Sequence, residues 1–332
     1  MRVLTVTNMY PSELRPSFGA FVKSQVESLI AIGHTVEVLF IDGSHSTLNY
    51  MKGFHDVNRA IEDFRPDVIH AHYGLTGFVA AYPGDSKPLV LSLCGDDVLG
   101  TPTPGGGLTL RSRLGLHLSR VACRRAAAII VKSDEMKSVV TSWGLQNVTT
   151  IPNGVDVDFF RPPSAAERQE ARTRLALAPD RLHVLFPHTP YELRKRVDLA
   201  RQLVTLVRPV AELHVVYHES RKVLRDYYFA SDVMILTSEW EGSPNVVKEA
   251  MACDLPTVSF DVGDASWLAA GTKSHRIVPR HDLQAMAHAI SDLARTGLRD
   301  GSERIRTELS ASAVAQRIDG IYSRVAAASS TA

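Results

Sequence analysis

The sequence predicts an α/β protein built from two doubly wound parallel sheets. Short apolar runs alternate with helical patterns through residues 1–151, and the same alternation resumes at Leu182. Such alternation is typical of parallel sheets covered by helices. A segment rich in proline and alanine after Pro162 separates the two series. Because 332 residues exceed one ordinary domain of about 150 residues, we expect two domains.

The strand candidates are short, apolar and rich in β-branched residues. In the first half they are Val3–Thr7, Thr35–Ile41, Asp67–His70, Leu89–Leu93, Ala128–Val131 and Val148–Ile151. In the second half they are Leu182–Pro187, Glu212–Tyr217, Val233–Thr237, Pro256–Phe260 and Ile277–Val278. Amphipathic helices are predicted at Phe18–Leu29, Leu283–Leu293 and about Ser302–Ala326.

Charge and composition exclude several classes of protein. The 37 Lys and Arg residues are balanced by 36 Asp and Glu residues, which argues against nucleic acid as the main partner. Cys94, Cys123 and Cys253 lack metal-ligand spacing, so we interpret them as reduced thiols of a cytoplasmic protein. A strand pattern starts directly after Met1, and no apolar run approaches about 20 residues. We therefore expect no signal peptide and no membrane span, and a location in the cytoplasm or at the inner face of the membrane.

The stretch Ser238–Ala252 lies between two predicted strands and is expected to form a loop and a short helix. Ser243 is a favourable N-cap, and Pro244 suits the first helical position, where a missing N–H costs nothing. The helix would then start at Pro244 and direct the N–H groups of Asn245–Val247 toward the strand ends. A helix N-terminus at this edge of a parallel sheet favours an anionic ligand.

Two carboxylates accompany this helix end. Glu241 lies in the loop and Glu249 lies about a turn and a half into the helix. Because helical side chains lean toward the N-terminus, Glu249 is expected to reach over the same crevice. Two carboxylates facing hydroxyl groups, beside a helix end facing phosphate, fit a nucleotide-sugar.

The whole stretch, with Glu241-Gly242-Ser243-Pro244-Asn245 and Glu249-Ala250-Met251-Ala252 intact, resembles the donor-site signature of retaining glycosyltransferases of family 4. The branch that includes teichuronic-acid and other cell-surface polysaccharide transferases carries a similar run. Pro152-Asn153-Gly154-Val155-Asp156 resembles the segment that closes the family's first domain.

The resemblance implies the GT-B fold, which has two facing Rossmann-like domains, a central cleft and a C-terminal helix that crosses back to the first domain. The implied first domain is residues 1–157 with the helix at about 305–327, and it binds the acceptor. The implied second domain is residues 158–304, and it binds the donor.

The implied reaction is transfer of a sugar from a UDP- or GDP-type donor to an acceptor hydroxyl with retention at the anomeric carbon. It needs no metal and no other cofactor. By resemblance, Glu249 holds the ribose hydroxyls and Glu241 the donor sugar, while Lys195 and the helix N-terminus stabilise the diphosphate. Family members usually carry an arginine a few residues before this lysine, but here those positions hold Pro190, Tyr191 and Glu192. Arg194 or Arg196 is a candidate to replace it.

The acceptor side is predicted at the ends of the third and fourth strands. His70 and His72 lie two residues apart at the end of the third strand and are expected to point the same way. Either one or both of them line the acceptor site, or they are buried structural histidines. In the family a histidine beside the reacting sugar occupies the position of Cys94, so the substitution shifts the expected role to Asp96. Asp96 is a candidate base or substrate contact, and its alternative is a turn aspartate.

Three further features of the sequence are relevant, and the first two have more than one interpretation. Gly19 permits close backbone approach in a turn that, by resemblance, faces the donor phosphates, or it merely allows the turn. Arg113, Arg120 and Arg124 share a helical face, which suits anionic lipid, an acceptor diphosphate or plain solvent. The loop Pro102–Gly107 is predicted to be flexible.

Neither His70 with His72 nor Asp156 with Asp158 is assigned a metal. The predicted catalytic residues are Asp96, Lys195 and Glu241, and the predicted acceptor-side residues are His72, Tyr73 and Asp96. The predicted donor-binding residues are Gly19, Arg194, Lys195, Glu241, Gly242, Ser243, Pro244, Asn245, Val246, Val247 and Glu249.

Two rival functions stay open at this point. One is a nucleotide-sugar 2-epimerase of the same fold, and the other is a subunit that binds a nucleotide-sugar without catalysis. The absence of a Gly-x-Gly-x-x-Gly after the first strand argues against a dehydrogenase. The acceptor is a glycan, a lipid-linked glycan or a small molecule.

Overall fold

The computed structural model describes residues 1–43, 46, 48–82, 87–101, 107–208 and 210–330. The chain divides into two units. Unit 1 contains Met1–Ser12, Phe18–Gly154 and Ala311–Ala332, and unit 2 contains Glu13–Ser17 and Val155–Ser310. Residues 102–106 of the predicted loop Pro102–Gly107 lie outside the described residues.

Unit 1 has a six-stranded parallel sheet in the order β2-β1-β3-β4-β5-β6. Its core is formed by buried aliphatic side chains from the strands and from the helices that cover them. The strands are β1 Arg2–Thr7, β2 Thr35–Phe40, β3 Val68–His72, β4 Leu89–Ser92, β5 Ala128–Val131 and β6 Val148–Thr150. The helices are α1 Ala20–Ala31, α2 Leu48–Phe64, α3 Gly74–Ala80, α4 Asp96–Leu99, α5 Leu110–Arg125, α6 Asp134–Ser142 and, at the end of the chain, α14 Ala311–Ser330.

Unit 2 has a five-stranded parallel sheet in the order β11-β10-β9-β7-β8. The strands are β7 Leu182–Phe186, β8 Ala211–Val215, β9 Val233–Leu236, β10 Thr257–Phe260 and β11 His275–Val278. The helices are α7 Ala165–Arg174, α8 Val197–Leu206, α9 Arg221–Ala230, α10 Asn245–Ala252, α11 Ala265–Ala269, α12 Leu283–Thr296 and α13 Ser302–Leu309, and a 3-10 turn spans Leu193–Lys195. The prediction of two doubly wound parallel sheets is confirmed.

The prediction of a single helix over about Ser302–Ala326 is wrong, because the helical conformation is interrupted at Ser310, which separates α13 from α14. Ser310 is extended, with a φ of −59° and a ψ of 150°, and it forms a parallel bridge with Val155. The Val155 N–H donates to the Leu309 carbonyl at 2.8 Å. The backbone groups at the break are thus used in pairing with a distant segment. The two helices consequently belong to different units.

None of the described helices combines the length and the apolar character needed to cross a membrane.

Candidate active site

The carboxyl ends of β7, β9 and β10 carry the loops that hold most of the predicted donor site. Since all strands of this sheet are parallel, these loops meet at one edge, where α/β proteins bind ligands. Lys195 follows β7, the Glu241 loop follows β9, and Asp264 follows β10. The structure therefore brings sequence-distant polar groups to one edge of unit 2.

A buried ion cluster joins two of these loops. The Lys195 ammonium lies 2.5 Å from Oε1 of Glu241, and the Arg194 guanidinium lies 3.0 Å from Oε2. The loop is held in place because the Thr237 hydroxyl donates to the Lys195 carbonyl at 2.8 Å and the Glu239 N–H donates to the Arg194 carbonyl at 2.8 Å. Glu241 is thus clamped by both cations.

The charges of this cluster are unequal, with two cations around one central carboxylate. Burial raises the pKa of Glu241, but Lys195 and Arg194 outweigh it and bring that pKa to about 2. Burial lowers the pKa of Lys195, Glu241 opposes that shift, and Arg194 adds to it. The cluster therefore favours the charged form of Glu241 and disfavours the charged form of Lys195.

Arg194 and Arg196, the two candidates for the missing arginine, are separated by the structure. Arg194 contacts Glu241 and also pairs with Glu192 at 2.5 Å. Arg196 has a left-handed φ of 53°, and its guanidinium pairs with Asp198 and Glu239. Arg194 is therefore the one that belongs to the ion cluster.

Helix α10 starts one residue later than predicted, and Ser243 is not its N-cap. Pro244 occupies the cap position and provides no side-chain cap. The Ser243 hydroxyl instead donates to Asp264 at 2.6 Å and accepts from Lys248 at 3.0 Å. Lys248 is fully buried, and a buried ammonium needs partners. The Ser243 hydroxyl therefore binds Lys248 and Asp264 and does not cap the helix.

The N-terminal turn of α10 is also more occupied than predicted. The Val247 N–H donates to the Pro244 carbonyl at 3.2 Å, so it is not among the donors available to a ligand. Asn245 and Val246 are the first residues of the helix. The loop between β10 and α11 packs tightly against the loop before α10. Gly263 has a φ of 58°, and a Cβ at this position would lie 2.7 Å from the Gly242 carbonyl oxygen.

Glu249 is half-buried and is oriented by one defined partner. The Tyr228 hydroxyl, on α9, donates to its Oε2 at 2.9 Å. Burial raises the pKa of Glu249 to about 7, although the Tyr228 hydrogen bond lowers it. Its carboxyl group therefore changes charge in the physiological pH range.

Several buried polar atoms at the same edge have no hydrogen-bond partner among the described residues. They are Nε2 of His188, Oγ of Ser238, Nε1 of Trp240 and Oδ1 of Asp264. Native interiors leave few such atoms unpaired, so a cluster of them indicates a place for a ligand or for water. The sequence analysis missed His188, Lys248, Tyr228 and Asp264. The sequence does contain a signal for His188, since it is a polar residue directly after the predicted strand Leu182–Pro187.

The predicted acceptor-side residues lie in unit 1. Tyr73 and the exposed Asp96 line a cavity of about 410 Å³. His72 is fully buried in β3, where its ring stacks on His70 with 4.4 Å between centroids. The other residues lining the cavity are Asn8, Phe18, Gly43, Tyr50, Leu75, Asp97, Thr101, Thr109, Arg111, Ser112, Gly115 and Ser119.

His70 fits the structural reading of the histidine pair. Its Nδ1 lies 2.5 Å from the Tyr322 hydroxyl and its Nε2 lies 2.8 Å from the Ser92 hydroxyl. Burial lowers its pKa to about 3. His70 is thus a neutral, hydrogen-bonded residue that links β3 to α14.

Asp97, which the sequence analysis passed over, has the structural role beside Asp96. Its carboxylate accepts hydrogen bonds from the N–H groups of Gly74, Cys94 and Gly95 at 2.8–3.1 Å. Burial raises its pKa to about 6, and these bonds oppose the shift. Asp97 therefore fixes the turn that presents Asp96 to the cavity.

Gly19 has a structural reason to be glycine. Its φ is 70°, and a Cβ would lie 2.3–2.6 Å from backbone atoms of Met9 and Tyr10. In this turn the backbone of Met9 and Tyr10 approaches Gly19 closely.

Comparison with known proteins identifies the family. Residues 2–159 match Glycosyltransferase Family 4, and residues 191–296 match the family described as glycosyl transferases group 1. The chain is 24% identical to TuaC of Bacillus subtilis, named for teichuronic acid biosynthesis, over 88% of each chain. It is 28% identical to a D-inositol 3-phosphate glycosyltransferase of Xylanimonas cellulosilytica, over 76% of this chain and 68% of that protein.

Solved structures show the same fold. Sucrose-phosphate synthase from Thermosynechococcus elongatus superposes with a TM-score of 0.80 at 17% identity, over 99% of this chain and all of that one. Anabaena HepE in complex with UDP-glucose superposes with a TM-score of 0.74 at 16% identity, over 98% of this chain and all of that one. The two Rossmann-like units are therefore those of the GT-B fold.

Proposed function

Because the chain belongs to glycosyltransferase family 4, an enzyme family of glycosyl transfer, we propose that it uses a UDP-type sugar donor with retention at the anomeric carbon. The observation that carries the proposal is the ion cluster of Lys195, Arg194 and Glu241 beside the start of α10. The complexes of Anabaena HepE with UDP and with UDP-glucose support the choice of donor.

Residues of unit 2 would hold the donor. Lys195 donates to the diphosphate, since an ammonium has three donors and its described hydrogen bond to Glu241 uses one. The first turn of α10 at Asn245 and Val246 adds the positive end of the helix dipole. Both groups are fixed before the substrate arrives, so the leaving diphosphate is stabilised without reorganisation. We propose that this stabilisation replaces a metal ion.

The two glutamates would bind hydroxyl groups. Glu249, oriented by Tyr228, accepts hydrogen bonds from the ribose. Glu241 accepts hydrogen bonds from the donor sugar while Lys195 and Arg194 keep its carboxylate in place. Gly242 lies next to Glu241, where the contact with Gly263 fixes the backbone of the loop.

The acceptor would bind in the cavity of unit 1. Its aromatic lining, which includes Tyr50 and Tyr73, suits the apolar faces of a sugar or a polyol, and Arg111 suits a phosphate on it. Asp96 is exposed at this cavity and would contact the acceptor hydroxyl as its base. The substrate is then a hydroxyl of a glycan, a lipid-linked glycan or a small phosphorylated polyol.

A donor panel followed by turnover tests the proposal. UDP-, GDP-, ADP- and TDP-sugars are each added to the wild type, to Glu249→Ala and to Glu135→Ala, an exposed control on α6. A ligand at 100 times its Kd stabilises the folded state by about 2.7 kcal/mol. We expect a UDP-sugar to raise the Tm of the wild type and of the control but not of Glu249→Ala. No shift with any nucleotide would refute the donor site.

Turnover with the bound donor then separates transfer from epimerisation. We expect UDP release that depends on an added acceptor and a product whose anomeric configuration matches the donor in NMR. Conversion of the sugar without an acceptor would indicate the epimerase. A product with the opposite configuration would refute retention.

We further propose contact with an anionic membrane surface through the outer face of α5. This helix contains five arginines and no acidic residue. Arg113, Arg120 and Arg124 are exposed, and so are Leu110 and Leu114, at 84% and 59%. At 100° per residue the leucines lie next to the arginines, an arrangement that suits interfacial helices.

Vesicle sedimentation tests this contact. Each basic residue near an anionic surface contributes about 1 kcal/mol, so Arg113→Glu with Arg124→Glu should weaken binding to phosphatidylglycerol vesicles by at least about thirtyfold. Arg59→Glu on α2 combined with Arg306→Glu on α13, both exposed, is the control matched in charge. Equal binding of all three proteins, or equal binding to phosphatidylcholine, would contradict the contact.

A further inference from the structure

One buried ring nitrogen at the proposed diphosphate site has no hydrogen-bond partner in the described part of the chain. His188 lies two residues after β7, and its ring packs edge-on against Phe186 with 5.4 Å between centroids. Its Nε2 is buried, and no hydrogen-bond partner exists for it among the described residues. An unsatisfied buried polar group costs about 1–3 kcal/mol. Its retention at the ligand-binding edge of the sheet therefore points to a partner that arrives with the substrate.

The loop that follows His188 lacks a basic residue where the resemblance leads one to expect an arginine. Pro190, Tyr191 and Glu192 occupy those positions. Arg194 is drawn to Glu241 and Glu192. The donor site thus has a lysine for the diphosphate but no second dedicated donor from the preceding residues.

We infer that His188 supplies this second donor, through a hydrogen bond from its Nε2–H to the diphosphate of the nucleotide-sugar. The inference rests on the proposed function and adds a specific residue to it. The tautomer required is the one that carries its proton on Nε2.

A neutral imidazole suits this place better than a third cation. Burial first, and the charge of Lys195 second, lower the pKa of His188 well below its usual value. A guanidinium there would lie close to Lys195 and Arg194 and would be repelled by both before the donor binds. The neutral ring gives the phosphate a fixed donor without adding to that repulsion.

Substitutions of His188 test the inference by binding of UDP and UDP-glucose in calorimetry. His188→Leu removes the donor and should raise Kd by about 10- to 100-fold, the range expected for a hydrogen bond to a charged group. His188→Gln keeps an N–H donor near the Nε2 position and should stay within about fivefold of the wild type. Uridine, which has no phosphate, should bind equally to all three proteins. His288→Leu, at an exposed position on α12 of the same unit, is the matched control.

The outcomes separate this inference from the proposed function. If the wild type binds no nucleotide-sugar, the donor site itself is wrong. If the wild type binds and His188→Leu binds equally well, His188 does not contact the diphosphate. Equal losses in the Leu and Gln variants, or losses that extend to uridine, would assign His188 a packing role and overturn the inference.

Discussion

The ion cluster of Lys195, Arg194 and Glu241 makes a quantitative prediction about stability. The perturbations are Glu241→Gln, Lys195→Met and the double variant. Glu241 has only 9% of its side chain exposed, and its pKa falls from 4.5 to about 2. At 1.36 kcal/mol per pKa unit, the folded protein favours the carboxylate by about 3 kcal/mol. Removing one member of a buried ion pair costs a similar amount, about 3–5 kcal/mol.

Glu241→Gln should therefore lower the free energy of unfolding by about 3–5 kcal/mol, because it leaves Lys195 buried beside Arg194. Lys195→Met should cost less, since Arg194 still faces the carboxylate at 3.0 Å. The double variant removes both buried charges, so its loss should be smaller than the sum of the two single losses by at least about 2 kcal/mol.

Urea unfolding at pH 7, followed by tryptophan fluorescence, measures these losses, and Trp240 lies next to Glu241 in the sequence. The slope of free energy against urea must be the same in all four proteins for the comparison to hold. Single losses that add to within about 0.5 kcal/mol would refute the coupling. Because the folded pKa of Glu241 is depressed, its contribution is present above pH 4.5 and should disappear as the pH falls toward 2.

Three further predictions concern single residues. Glu249 has a pKa of about 7. If it binds the ribose hydroxyls as a carboxylate, as proposed, Kd for UDP-glucose should fall about tenfold between pH 6 and pH 8. A pH profile of Kd that Glu249→Gln leaves unchanged would contradict this role. Asp97→Asn replaces an acceptor of backbone N–H groups and should lower the free energy of unfolding by about 2–3 kcal/mol in thermal unfolding. Asp96→Asn should leave the Tm unchanged and lower kcat. The reverse pattern would exchange the roles of the two residues. Gly19→Ala combines a positive φ with backbone overlap and should lower the free energy of unfolding by about 2–5 kcal/mol in urea. Gly33→Ala has open space around its Cβ and should lower it by about 1–2 kcal/mol. Equal losses in the two variants would refute the overlap at Gly19.

Local patterns were sufficient to predict the sheets but not the ends of the elements. Each strand is a short apolar run, so its centre is visible in the sequence. The third strand was predicted to end at His70, yet β3 continues to His72. Its polar side chains are buried because Gln25 and Tyr322 provide partners from α1 and α14. From the sequence alone, a buried strand histidine whose partners lie far away in the chain cannot be distinguished from a polar residue that follows the end of a strand.

The same limit applies to the proposed donor site. Spacing placed Glu241 and Glu249 at one strand end, and the helix start was predicted to within one residue of its position at Asn245. The partners of the two glutamates are Lys195, which lies 46 residues away in the chain, and Tyr228, which lies 21 residues away. Both separations are longer than a single helix or strand of this unit, so no local sequence pattern identifies these pairs.

Ser243 shows how a local preference yields to a tertiary demand. An N-cap serine is worth about 1 kcal/mol, and that preference predicted its role. The buried Lys248 ammonium costs several kcal/mol unless it is paired, and Asp264 lies within 2.6 Å of the same hydroxyl. The larger energy decides the side-chain position, so the hydroxyl joins Lys248 to Asp264 and the helix starts after Pro244 without a side-chain cap. A loop held by this bridge keeps Glu241 and the start of α10 in fixed relation, which is the property that a preorganised diphosphate site requires.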